Sequence, residues 1–465
     1  MSWETVIGLE VHVQLDTRSK MFCGCSTEFG DPPNTNVCPV CLGLPGALPV
    51  PNAGAVRLGV RAALALECTV ATRSVFARKN YFYPDLPKGY QISQYDRPLA
   101  RGGRVDIESG DRGAVSISIV RLHLEEDAGK LLHDRIPGKT AIDLNRAGTP
   151  LAEIVSGPDL RSPAEAREYL NALKQILRYA GVSECNMERG SLRVDGNISL
   201  RRQGASALGT RTEIKNLNSF ANVERALAAE RDRQEARLER GEPVEQITLL
   251  FHPGSGQVRP MRSKEESHDY RYFDDPDLPP LLLAPATVAA IGKELPELPA
   301  AKRGRLRAAY GLSGYDAGVL AAERSTADYF ESVCAAGAEP KAAANWIMNE
   351  TGRHPPPGTL AELIRLVGDG TLSHQAARRI YPELAGGGSP REAAERLGVL
   401  QVQDADVLAA WVDAVIAGHP AEAARYRAGE LKLLAFFTGQ VMKQSRGQAD
   451  PRKVQSMLAR RLEDG

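Results

Sequence analysis

A change of texture near residues 276–285 constrains this chain more than any other feature. Before it, short runs alternate apolar and polar residues between Gly, Pro, Asn and Asp. After the proline-dense stretch Pro276–Pro285 that alternation vanishes, and Ala, Leu and Arg recur at helical spacing. Period-two alternation belongs to strands with one wet face, so the first part predicts a mostly antiparallel sheet. The expected strands are Val6–Leu15, Val115–Leu124, Ile142–Leu144, Leu151–Val155 and Leu192–Leu200. Ser162-Pro163-Ala164-Glu165 places a capping hydroxyl before a proline at the first helical position, which predicts a helix to about Ala180 stopped by Gly181. Asn218-Ser219 opens a second, highly charged helix that ends at Gly241. Pro355–Gly358 and Gly386–Pro390 break the helical part. The expected class is α+β: residues 1–292 form a sheet-built domain, 293–404 an all-α domain, and 405–465 a small helical tail. At 465 residues several domains are expected in any case.

Lys+Arg and Asp+Glu number 58 each, so bulk charge announces no polyanionic partner. From Arg425 onward nine basic residues face four acidic ones, a local net of +5. No apolar run approaches membrane-spanning length. The first residues show no basic segment leading into an apolar one, so a cytoplasmic location is the expectation.

Four of the seven cysteines fall in Cys23-Gly24-Cys25 and Cys38-Pro39-Val40-Cys41. Two close thiolate pairs, each presented by a tight turn, are suited to one tetrahedral Zn²⁺. All four positions would be filled by protein, so the expected site is structural. Cys68, Cys185 and Cys334 read as isolated thiols.

Two strand faces carry ionisable groups. In Val6–Leu15, Glu10 and His12 share the polar face, opposite Ile7, Leu9, Val11, Val13 and Leu15. In the next, Arg121, His123, Glu125 and Asp127 oppose Val120, Leu122 and Leu124. The apolar set changes face between Ile119 and Val120, which predicts a bulge. Glu125-Glu126-Asp127 crowds three carboxylates beside Lys130, a cluster that a divalent cation with a nucleotide would neutralise. Arg78–Tyr90 is aromatic, proline-containing and cationic, suited to a base and a phosphate. Standard nucleotide motifs are absent: Gly138-Lys139-Thr140 has His133 where a phosphate loop needs glycine.

Taken together, Tyr81–Tyr95, Glu125–Lys130, Asp143–Ile154, Thr212–Phe220, Met261–Glu265 and Gly439–Lys443 resemble the B subunits of bacterial aspartyl/glutamyl-tRNA amidotransferases. The likeness runs from Val6 to about Leu458. It implies a cradle-shaped first domain that uses ATP and Mg²⁺ to phosphorylate the side-chain carboxyl of Glu-tRNA(Gln) or Asp-tRNA(Asn), after which ammonia displaces phosphate. It implies Glu10, His12, Glu125 and Glu153 as Mg²⁺ ligands, Lys79 and Lys88 facing phosphate, and Tyr81, Asn145 and Arg146 shaping the nucleotide pocket. Cys23, Cys25, Cys38 and Cys41 match the zinc knuckle of zinc-binding relatives. The resemblance also implies a heterotrimer with an amidase (glutaminase) A subunit and a small C subunit. Within it the basic tail reads as a tRNA contact through Lys443, Arg446, Arg452 and Lys453. A free-standing ATP-dependent ligase for a small acid and a zinc-stapled tRNA-binding scaffold stay open as alternatives.

Overall fold

The computed structural model describes residues 2–261, 269–350, 352–402 and 404–464. Arg262–Glu265, part of the resemblance, lie outside the described residues. The chain divides into two compact units, residues 1–298 and 299–465.

The first unit is built on a ten-stranded sheet. Its centre is β1 (Trp3–Gln14), with two further strands of the small second sheet, β2 (Ala77–Asn80) and β3 (Tyr90–Ser93), following in the chain. β4 (Gly113–Glu126), β5 (Pro150–Ser156), β6 (Leu192–Arg202) and β7 (Thr212–Leu217) complete the large sheet's middle, in the spatial order β7-β6-β1-β5-β4. All these neighbours pair antiparallel. A parallel pair joins β7 to Thr248–His252. β8 (Phe273–Asp274) pairs with β2, which pairs with β3, to give the small sheet.

The alternation in β1 sets which groups reach solvent. Ile7, Leu9, Val11 and Val13 are buried in the core, and Glu10, His12 and Gln14 stand on the opposite face. Three helices are relevant: α1 (Ala53–Ala65), α2 (Pro163–Tyr179) and α3 (Phe220–Glu239). Ser162 Oγ caps α2 by accepting the Glu165 N–H at 3.2 Å, and Gly181, at φ +62°, ends it in the left-handed region that a glycine enters without strain. Tyr169, Leu170, Leu173 and Leu177 form its wholly buried stripe. Each leucine contributes roughly 1.5–3 kcal/mol by leaving water. Ser219 caps α3 in the same way.

β4 does contain a bulge. Val155 faces Arg121 and Ser156 faces Ile119, which leaves Val120 as an extra residue. Val120 is therefore exposed, whereas Ile117, Ile119, Leu122 and Leu124 are all buried. The expectation that Val120 joins the apolar face was wrong, because the spare residue itself absorbs the change of phase.

The second unit is helical. One hydrophobic cluster spans Leu306 to Ala394 and another Leu408 to Leu462. The proline hinge at 355–358 is the start of a helix, Pro357–Gly368, and Ser389 caps Pro390–Arg396. Among the described residues no helix is long and apolar enough to cross a membrane.

Candidate functional site

Side chains from three adjacent strands meet in one cross-strand row. His12 on β1 faces Glu153 on β5, which faces His123 on β4, and Arg193 on β6 flanks His12 on its other side. His12 Nε2 lies 3.3 Å from Glu153 Oε2 and 3.6 Å from Glu125 Oε1. His123 Nε2 lies 3.2 Å from Glu153 Oε2 and 3.5 Å from Glu125 Oε2. Ser93 Oγ donates to Glu125 Oε2 at 3.0 Å, and Arg121 approaches Glu153 Oε1 at 3.8 Å. One ligand atom each from His12, Glu125 and Glu153 falls within 4.8 Å of the others.

The electrostatics reflect that crowding. Burial alone would raise the Glu125 and Glu153 carboxyls, but His123 and His12 hold both below the usual range. Burial would likewise lower the imidazoles. Glu153 and Glu125 outweigh it, raising His12 and pushing His123 up to about 9. Two buried carboxylates are thus balanced by imidazolium protons, at a place where a divalent cation would do the same. Carboxylate oxygens and one imidazole, with open space beside them, fit Mg²⁺, which retains several waters and takes few protein ligands. His123 Nδ1 is buried without a hydrogen-bond partner among the described residues.

These groups line a cavity of about 660 Å³. Glu10 lines it too but stands outside the three-ligand group, one cross-strand row away opposite Asp195 and Val155, and accepts from Asn197 Nδ2 at 3.0 Å. Burial, then the charge of Glu153, pushes the Glu10 carboxyl up. Lys79, Tyr270 and Tyr272 line the cavity, and so do Asp195, Arg211, Glu213 and Lys215. Lys215 bridges Glu213 at 3.1 Å and Asp195 at 3.3 Å. An adjoining apolar cleft of about 260 Å³ shares Glu10 and Arg211 and is walled by Val6, Leu9, Val155, Ile198 and Leu208. Gly209, in the wall of this cleft, lets its segment pack closely on β6: a Cβ there would lie 2.0 Å from the Leu200 carbonyl oxygen.

A profile of the GatB/GatE catalytic domain matches residues 5–289, and one of the GatB domain matches residues 328–462. The B subunit of the aspartyl/glutamyl-tRNA(Asn/Gln) amidotransferase from Anaeromyxobacter dehalogenans (strain 2CP-1) is 52% identical over 482 residues, covering 99% of each chain. Its counterpart from Thermosynechococcus vestitus is 50% identical, covering all of this chain and 97% of its own. The chain belongs to the GatB/GatE family.

In this GatB/GatE member, other residues that the sequence assigned to the nucleotide pocket lie outside the cavity. The Lys88 ammonium does not line the cavity. It forms a buried ion pair with Glu126, whose Oε1 also accepts the Ile92 N–H at 2.9 Å. The three carboxylates therefore separate: Glu125 enters the cavity, Glu126 meets Lys88, and Asp127 accepts from Arg193 at 2.8 Å and approaches Arg146 at 3.6 Å. Tyr81 is half-buried outside the cavity lining, its hydroxyl donating to Gln91 Oε1 at 3.3 Å. Asn145 accepts the Asn36 N–H at 2.9 Å, and Arg146 donates to the Ala128 carbonyl at 3.0 Å. Asn145 ties the cysteine-bearing segment to the 143–146 loop, and Arg146 ties that loop to residues 127–129 behind the acidic strand; neither lines the cavity. Lys443, Arg446, Arg452 and Lys453 are exposed on the second unit.

The four cysteine sulfurs also lie within 4.8 Å of one another, and Cys38 Sγ to Cys41 Sγ is 3.9 Å. Bonds of about 2.3 Å to a tetrahedral Zn²⁺ imply sulfur separations of about 3.8 Å, so the donors fit. The Cys23 hydrogen bond, the Cys38 N–H and Lys20 bring the Cys41 thiol down to about 4. Lys20 carried no signal in the sequence. It is wholly buried, and its ammonium donates to the Asn36 carbonyl at 2.7 Å and to Cys41 Sγ at 3.6 Å.

Proposed function

We propose that this chain is the ATP-using subunit of a tRNA-dependent amidotransferase. In this reading the γ-phosphoryl of ATP passes to the side-chain carboxylate of Glu or Asp esterified to tRNA, giving ADP and an acyl phosphate. Ammonia then attacks the acyl carbon, phosphate leaves, and the nitrogen sheds a proton to give the amide. A bare carboxylate resists that attack until one oxygen becomes a good leaving group.

The observation that carries the reading is the His12–Glu125–Glu153 group lining a polar cavity, in a member of this family. Phosphoryl transfer asks chiefly for charge neutralisation and alignment. His12, Glu125 and Glu153 would hold Mg²⁺, with Glu10 facing it from the cavity wall; the ion supplies neutralisation of phosphate charge. Arg211, Lys215 and Lys79 provide cationic contacts for the phosphates, and the apolar cleft beside Glu10 suits the purine. The relatives' designation as a B subunit supports assembly with an amidase that releases ammonia and with a small third subunit. We place this assembly in the cytoplasm, and assign 405–465 as a tail that contacts tRNA.

Glu125→Gln tests the reading in the reconstituted heterotrimer. ADP formation dependent on Glu-tRNA or Asp-tRNA should fall about 100-fold or more while glutamine hydrolysis continues. Unchanged ADP formation would instead favour the scaffold reading, and turnover that ignores tRNA would favour the small-acid ligase.

A further inference from the structure

Four tyrosines form a ladder, and three of them, Tyr95, Tyr270 and Tyr272, line the cavity. Tyr81 meets Tyr270 edge-on at 6.1 Å between centroids, and Tyr270 meets Tyr272 edge-on at 6.1 Å. Tyr272 then stacks on Tyr95 at 4.2 Å with only 7° between planes. Lys79 Nζ sits 4.7 Å over the Tyr270 ring, which adds a cation–π contact to the ladder. Tyr81 is half-buried, and Tyr95 at the far end is 54% exposed. One face of its ring is covered by Tyr272, while more than half of the residue stays open to water.

Leaving half an aromatic ring in water forgoes hydrophobic stabilisation. Here the ring is nevertheless held flat by its neighbour, so little ordering remains to be done when a planar ligand arrives. Tyr95, Tyr270 and Tyr272 line the same cavity as Glu125 and Glu153. The apolar cleft assigned above to the base of ATP is walled by the large sheet and the loop at 208–211, and Tyr95 takes no part in it.

We infer that Tyr95, braced by Tyr272, is the platform on which the 3′-terminal adenine of the charged tRNA stacks. The inference rests on the amidotransferase reading. There, the carboxyl to be phosphorylated belongs to an amino acid esterified to the ribose of that last nucleotide. Its base must therefore lie within one nucleotide of the cavity, and the cavity's aromatic lining is where a base meets a π-face. Ladder rigidity fixes how deep the ester-linked side chain reaches.

The test uses the assembled complex and tRNA carrying 2-aminopurine in place of the terminal adenine. Tyr95→Ala should raise KM for charged tRNA about tenfold or more, leave KM for ATP within about twofold, and remove the fluorescence quenching seen with the unsubstituted protein. Tyr95→Trp, which keeps a stacking face, should restore both KM and quenching. Tyr95→Ala with unchanged tRNA KM and quenching would overturn the inference, as would a rise in the KM for ATP instead. Should the unsubstituted complex form no amide, the amidotransferase reading fails, while the quenching comparison still reads whether the base stacks.

Discussion

Glu153 stands directly across the β-ladder from both His12 and His123, with one oxygen, Oε2, 3.3 Å from the first imidazole and 3.2 Å from the second. A single carboxylate oxygen thus serves two cations-in-waiting, and the balance among them sets how this site responds to pH and to metal.

The sign of that response follows from the shifts. His12 and His123 are both raised, so the stabilisation each contributes is complete below the ordinary imidazole value of 6.5; that of His123 disappears as pH rises through about 9. Glu125 and Glu153 are lowered, so theirs is present above 4.5 and lost as pH falls below it. The metal-free protein should therefore lose thermal stability between about pH 6.5 and 9. Saturating Mg²⁺ should flatten that decline, because the ion replaces the protons, and its apparent affinity should rise over the same window. Melting curves with and without Mg²⁺ across this range check both, and a slope that ignores Mg²⁺ would contradict the assignment.

Lys88 and Glu126 are both buried, so removing only the lysine strands a carboxylate in the interior. Lys88→Met is expected to destabilise the protein by about 3–5 kcal/mol, with Lys88→Met/Glu126→Gln recovering part of the loss. Differential scanning calorimetry measures this directly. Had Lys88 served as a phosphate contact, the double variant would gain stability but no activity.

One zinc per chain is expected. Cys41→Ser should lose it and lower the melting temperature by about 5 °C, as befits a loss of about 1–2 kcal/mol. Lys20→Met removes the buried ammonium beside Cys41 and should weaken zinc about 10–100-fold while leaving all four thiolates in place. Metal analysis after titration with a chelator separates the two variants.

Neutralising Lys443, Arg446, Arg452 and Lys453 together should weaken tRNA binding without regard to which tRNA is used. It should also reduce the slope of log affinity against log salt by roughly 0.7–0.9 per lost phosphate contact. Filter binding at several salt concentrations reads the slope, and an unaltered slope would remove these four from the interface.

The features legible in the sequence are those that rest on local period. Glu10 and His12 share a face because alternation in β1 is unbroken, Ser162 and Gly181 mark a helix because capping is a nearest-neighbour matter, and a bulge is visible near Val120 because the apolar phase slips there. Adjacency between distant strands is not readable. His123 is visible on the right face of its strand, yet only the β4–β5 register brings it to Glu153. Lys215, Arg211 and the Tyr95–Tyr272 stack give no periodic signal at all. Lys88 misled because its partner, Glu126, stands next to the residue that does enter the cavity, and consecutive strand residues point to opposite faces.

The spare residue at Val120 has a mechanical consequence. Between it and the chain reversal near residues 110–113 the strand pairs with Arg104–Ser109; beyond it lie Arg121, His123 and Glu125. Twist or length variation arriving from the hairpin end can be taken up where pairing is already interrupted. The cavity-lining end is thereby insulated from evolutionary drift in the hairpin, whereas deleting that one position would invert one half of the strand relative to the other.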